Sequence, residues 1–142
     1  MTMKTYQGSC QCKRVRFEAD IDLSQGTGKC NCTSCWKRRW WSVKAKPEHF
    51  RSLGGETELS GYKPGSATGH RGFCKHCGVT PYSWIDAAEW NDGAYVSVNV
   101  ACLEGLSPFD FREVPVMDGV NHTNDTGRPT RRAGTLRFRR DD

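Results

Sequence analysis

The chain of 142 residues reads as a mainly β, zinc-bound fold with at most short helices, and three observations point there. Two segments alternate apolar and polar residues with the period of a strand. Fifteen glycines favour frequent tight turns over long helices. Seven of the eight cysteines fall into three tight groups, which suits a fold with few helices tied together by metal.

The first strand is "VRFEADI", where Val15, Phe17, Ala19 and Ile21 alternate with Arg16, Glu18 and Asp20, the pattern of a half-buried strand. "KPEHFRSLGG" places Pro47 where a first helical turn accepts it and Gly54 just past the end, so a single short helix is expected there. The second strand is "AYVSVNVACL", with Val96, Val98, Val100 and Cys102 on one face; Cys102 is expected in the core as a small hydrophobe. Residues 1–125 form one unit that carries every cysteine group. Residues 126–142 are a basic, loose tail with a brief alternation at Leu136 and Phe138 that suggests an edge strand.

The opening "MTMKTYQGSCQC" has no apolar run of signal-peptide length, and no stretch of about eighteen apolar residues occurs anywhere. A cytoplasmic protein without a membrane span is expected, and in a reducing compartment its cysteines should be thiols or metal ligands rather than disulfides. The net charge of +5 suits nucleic acid and small acidic ligands alike, so charge separates neither class.

"FCKHCGV" has the spacing of a zinc knuckle: two residues between Cys74 and Cys77 let both thiolates meet one ion at about 2.3 Å. Cys10 and Cys12 in "GSCQCK" converge on one ion if the backbone curls. Together the two pairs make a closed four-thiolate structural site. "KCNCTSC" then leaves Cys30, Cys32 and Cys35 with no obvious fourth partner, and three protein ligands with one open position is the arrangement of catalytic zinc. Two readings compete with it. Cys102 or one of His49, His70, His76 and His122 could close the trio as a second structural zinc, and spacing also permits other partitions, such as the trio joined to Cys10.

The succession C-x-C, C-x-C-x-x-C and C-x-x-C-G, with "GSCQCKRVRFEAD", "KPEHFRSLGGE", "FCKHCGVTPY", "VSVNVACLEGL" and "VPVMDGVNH" in order, resembles the glutathione-dependent formaldehyde-activating enzyme family. The likeness runs from about Gly8 to about His122. It implies an Mss4-like fold with two zinc ions, in which Cys10, Cys12, Cys74 and Cys77 match structural ligands and Cys30, Cys32 and Cys35 catalytic ones. It also implies a carbon–sulfur lyase activity of the S-(hydroxymethyl)glutathione synthase type, with a thiol such as glutathione and formaldehyde or a related small aldehyde as substrates. Family members often have Gly directly after the first C-x-C and another beyond the triplet, about where Lys13 and Trp40 stand.

Three thiolates make a negatively charged site, so cations must stand close by. Lys37, Arg38 and Arg39 directly follow the trio and could supply that field while pairing with substrate carboxylates; Trp40 could wall the pocket. The second functional reading is a non-catalytic zinc module whose "WKRRWW" run binds nucleic acid or a protein partner. The scattering of the other basic residues argues against nucleic acid.

Overall fold

The computed structural model describes residues 2–62, 69–88 and 92–141. Its described strands form three sheets. The first joins β1 (Lys4–Ser9), β2 (Arg16–Ile21) and β5 (Phe50–Gly54) in the order β1-β2-β5. The second is five-stranded and antiparallel, in the order β4-β9-β8-β7-β6, built from β4 (Ser42–Ala45), β6 (Leu59–Tyr62), β7 (Gly69–Cys74), β8 (Tyr82–Ile85) and β9 (Tyr95–Asn99). The third sets β10 (Glu113–Met117) between β11 (Arg132–Arg137) and the two-residue β3 (Lys29–Cys30). The described helices, α1 (Thr33–Lys37) and α2 (Thr123–Thr126), are both short.

The alternation in the first strand is realised fully: Val15, Phe17, Ala19 and Ile21 are all buried. Phe17 anchors the core with Phe50 and Tyr82, whose ring centroids lie 5.5 and 5.6 Å from it. Its ring fills the space a side chain at Gly8 would need, since a Cβ there would overlap it; close passage of β1 over Phe17 therefore requires glycine. Across the core, Trp41 packs on Phe111 and on Phe138 and donates from its indole N–H to Thr27. The edge strand expected near Leu136 is β11, and the aromatic ring just beyond it covers Trp41.

Two expectations need correction. The helix predicted over 47–54 is a single 3-10 turn, Pro47–His49, followed by β5. Proline at the first position does start a turn, but pairing of Phe50, Arg51 and Ser52 with β2 outweighs helix propensity in so short a segment. The strand through 95–102 ends at Asn99, whose side chain accepts from the Ala101 N–H and starts a 3-10 turn, Val100–Cys102. Val96, Val98, Val100 and Cys102 are nonetheless all buried. Cys102 belongs to the core, where burial pushes its thiol up to about 12.

Candidate metal centres

The first cysteine group is assembled from two ends of strands. Cys10 closes β1, and a turn in which Lys13 N–H donates to Cys10 C=O and Cys10 N–H to Val15 C=O curls Cys12 back toward it. Cys74 closes β7, and Gly78, at φ +79°, makes the return that brings Cys77 round. The four sulfurs lie within 4.8 Å of one another, with Cys10–Cys12 and Cys12–Cys74 both at 3.6 Å. Cys10 and Cys74 are buried. Burial pushes the Cys10 thiol up to about 11, whereas donation from the Arg14 N–H and then its guanidinium pulls Cys12 down to about 6.

Local structure brings the second group together. Cys30 lies on β3, held parallel to β10 beside Met117. Cys32 is the N-cap of α1, its sulfur accepting from the Cys35 N–H at 3.4 Å, while Cys30 accepts from the Cys32 N–H at 3.4 Å. Strand, cap and first helical turn in succession aim three side chains at one point. Their sulfurs also lie within 4.8 Å of one another, and among the described residues no histidine, cysteine or carboxylate joins them. The Cys35 thiol donates to Cys30 and lowers it to about 5; the same shared proton, with burial, raises Cys35.

A loop unread in the sequence underlies the trio. A Cβ at Gly119 would overlap the Cys30 sulfur and lie 2.8 Å from Cys32 Cβ, so only glycine lets this backbone pass beneath the cluster. Asn31, between the first two cysteines, clamps it by accepting from the N–H groups of Gly119 and Val120 at 2.8 and 3.1 Å. Asp118, buried, holds Asn121 through both carboxylate oxygens. "MDGVNH" carries this signal only in retrospect, since glycine after aspartate ordinarily marks a turn.

Over the trio opens a cavity of about 860 Å³. Cys30, Cys35, Arg38 and Trp40 line it on one side and the five-stranded sheet on the other. Arg38 lies over the Trp40 ring at 5.0 Å, with Nε and Nη1 buried and unpaired among the described residues. Lys37 is exposed on α1 and does not line the cavity, and Arg39 and Trp36 are exposed as well. Trp41 is buried, so "WKRRWW" is divided among surface, cavity and core. Of the four histidines, His49 lines the cavity, His70 and His76 pair with Asp86 and Glu58, and His122 caps α2 through Nδ1.

A family model described as glutathione-dependent formaldehyde-activating enzyme matches residues 5–114. The chain belongs to that family. The match spans all seven clustered cysteines but stops short of Gly119. A crystal structure of a Rhodobacter sphaeroides protein is similar, with 31% identity and a TM-score of 0.67 over 78% of this chain and 98% of that one. Comparison with curated proteins gives no match. The multi-sheet β architecture with short helices is the Mss4-like fold of the formaldehyde-activating family, and its two cysteine clusters can each hold a metal ion. Lys13 and Arg39 both take left-handed conformations, at φ +65° and +54°, where glycine is the natural occupant; Lys13 follows Cys12, and Arg39 immediately precedes Trp40.

Proposed function

We propose that the protein is a zinc-dependent carbon–sulfur lyase of the S-(hydroxymethyl)glutathione synthase type, acting in the cytoplasm and joining a thiol such as glutathione to formaldehyde or a related small aldehyde. Cys10, Cys12, Cys74 and Cys77 hold a structural zinc, and Cys30, Cys32 and Cys35 a reactive one. Soft sulfur donors gathered in a four and a three fit this metal. The observation that carries the reading is the three-sulfur cluster, one ligand short among the described residues and opening onto a cavity. Zinc in such a site supplies a Lewis acid that lowers the pKa of a visiting thiol below its free value of about 8.5.

The chain's own groups do the rest. Arg38 faces the sulfurs and offsets their negative charge. A carbonyl compound held in the cavity beside Cys30 and Cys35 would meet the incoming sulfur there, where proximity replaces a bimolecular encounter. One carbon–sulfur bond forms, the carbonyl π pair becomes an alkoxide, and that oxygen takes a proton; the reverse breaks the same bond.

The test is metal content together with exchange kinetics. The intact chain should carry two zinc ions and speed the glutathione–formaldehyde equilibration seen by NMR. Cys32→Ser should carry one ion, stay folded and lose the acceleration. A zinc-loaded protein that speeds no thiol and aldehyde pair beyond the spontaneous rate would end the reading.

A further inference from the structure

The polar floor of the cavity is one row of the five-stranded sheet. Arg71 pairs with Ser83, Ser83 with Ser97, and Ser97 with Lys44, so four polar side chains from β7, β8, β9 and β4 stand on one face. All four line the cavity, and both serines are buried. The apolar residues of β9, Val96 and Val98, point into the core on the opposite face. A sheet that turns serines and a guanidinium toward an interior space is shaped for a polar occupant.

The charges are unbalanced in one direction. Arg38 Nε and Nη1 and Arg71 Nη1 are all buried without a hydrogen-bond partner among the described residues, as is Ser83 Oγ. Arg38 and Arg71 are close enough that burial and then the Arg71 charge lower the Arg38 pKa. Acidic residues do line the far part of the cavity, but Asp20 is bound by Arg51 and Thr5 and Asp22 caps its own turn. Buried cationic donors left unpaired are costly, and two guanidinium groups lining one cavity are more so unless an anion stands with them.

Neutral formaldehyde gives these donors nothing, and in glutathione both carboxylates are separated from sulfur by an amide and several carbons. Arg38, by contrast, lines the cavity together with Cys30 and Cys35 and leaves Nε and Nη1 unpaired there, so an anion bound by those nitrogens lies beside the trio. We propose that Arg38 and Arg71 form a carboxylate site beside the three-cysteine cluster, and that the substrate carries a carboxylate one or two carbons from its reacting atom. The fork geometry of two guanidinium groups suits a planar carboxylate. The carboxylate belongs either to the carbonyl substrate, a 2-oxo acid of the glyoxylate kind, or to the thiol, a 2-mercapto acid. In both cases sulfur bonds to the carbonyl carbon, the π pair moves to oxygen, and oxygen gains a proton, with no net oxidation. The proposal rests on the thiol–aldehyde reading for the reaction and on the unpaired guanidinium groups for the ligand class.

Zinc-loaded protein is assayed with three pairs: 2-mercaptoethanol with formaldehyde, mercaptoacetate with formaldehyde, and 2-mercaptoethanol with glyoxylate. At least one carboxylated pair should exceed the neutral pair in kcat/KM by ten- to hundredfold, and which one identifies the source of the carboxylate. Arg71→Gln should collapse that ratio, with partial recovery in Arg71→Lys; a ratio within one variant is insensitive to partial loss of folded protein. Calorimetry adds a readout independent of turnover: mercaptoacetate should bind at least tenfold tighter than 2-mercaptoethanol if the thiol carries the group, or glyoxylate at least tenfold tighter than formaldehyde if the carbonyl does, and Arg71→Gln should erase the difference. Turnover without any carboxylate preference overturns the site and leaves the thiol–aldehyde reading standing. Absence of turnover with Arg71-dependent carboxylate binding preserves the site and removes that reading, and absence of both removes both.

Discussion

The two cysteine clusters use the same donor atom and differ in what they connect. Cys10 and Cys12 stand more than sixty residues from Cys74 and Cys77, so that cluster ties the end of the β1-β2-β5 sheet to the end of β7. Cys30, Cys32 and Cys35 lie within six residues, from the end of β3 to the first turn of α1, and tie no distant segments to one another. An ion in the first closes a long loop in a fold with little helix, whereas an ion in the second organises a pocket on a frame that already stands. Burial differs in part: Cys10 and Cys74 are buried, whereas Cys12, Cys77 and every member of the trio are half-buried.

Breaking one ligand in each cluster should give the widest separation. Cys74→Ser should abolish the cooperative thermal transition or render the chain insoluble, because a structural zinc contributes on the order of 10 kcal/mol against a whole-domain stability of about 5–15 kcal/mol. Cys32→Ser should retain a cooperative transition, shifted by only a few degrees. Equal losses in the two variants, measured by calorimetry at matched zinc, would erase the distinction between a tie and a pocket.

Gly119→Ala attacks the open cluster from beneath without touching a ligand. The added methyl must displace the Cys30 sulfur or the backbone at Cys32, and overpacking of this kind costs about 1–3 kcal/mol. Zinc at the trio should fall toward zero while the four-cysteine ion stays, giving one ion per chain by atomic emission. Retention of both ions would mean the 117–121 loop yields easily, despite the Asn31 clamp on Gly119 and Val120.

The difference between the clusters was partly legible in the residues. A knuckle such as Cys74-x-x-Cys77 announces itself because its geometry is local, and the same is true of the trio. Core positions were equally plain where side chains alternate, as from Val15 to Ile21. What spacing could not carry was distance: that β10 runs parallel to β3 and delivers Gly119 under Cys30, or that Arg71, from "GHRGF", pairs with Ser83 and lines the same cavity as Arg38. Lys37 and Arg38 are neighbours in sequence, yet at the end of α1 a single residue step of about 100° leaves the first exposed and the second lining the cavity. The short helix expected at Pro47 failed for a related reason, since a long-range pairing with β2 decided the conformation of Phe50.

The smallest effect concerns a strain that the two loops share. Lys13 follows Cys12, and Arg39 follows the end of α1; each holds a left-handed backbone that costs an ordinary residue about 1–2 kcal/mol. Glycine removes that cost but loses about 0.5–1 kcal/mol through its freer unfolded chain, so Lys13→Gly should stabilise by about 0.5–1 kcal/mol. The gain should appear as a rise of a few degrees in the thermal midpoint, since the Cys10–Val15 turn belongs to the cluster that ties sheets together. Arg39→Gly relaxes a comparable strain, but it also loosens the segment between Arg38 and Trp40, whose stacked side chains form the cavity wall. Its gain in stability should therefore come with a weaker hold on ligand, and a Lys13→Gly variant that changed ligand affinity as much as Arg39→Gly would show that the two loops are not independent.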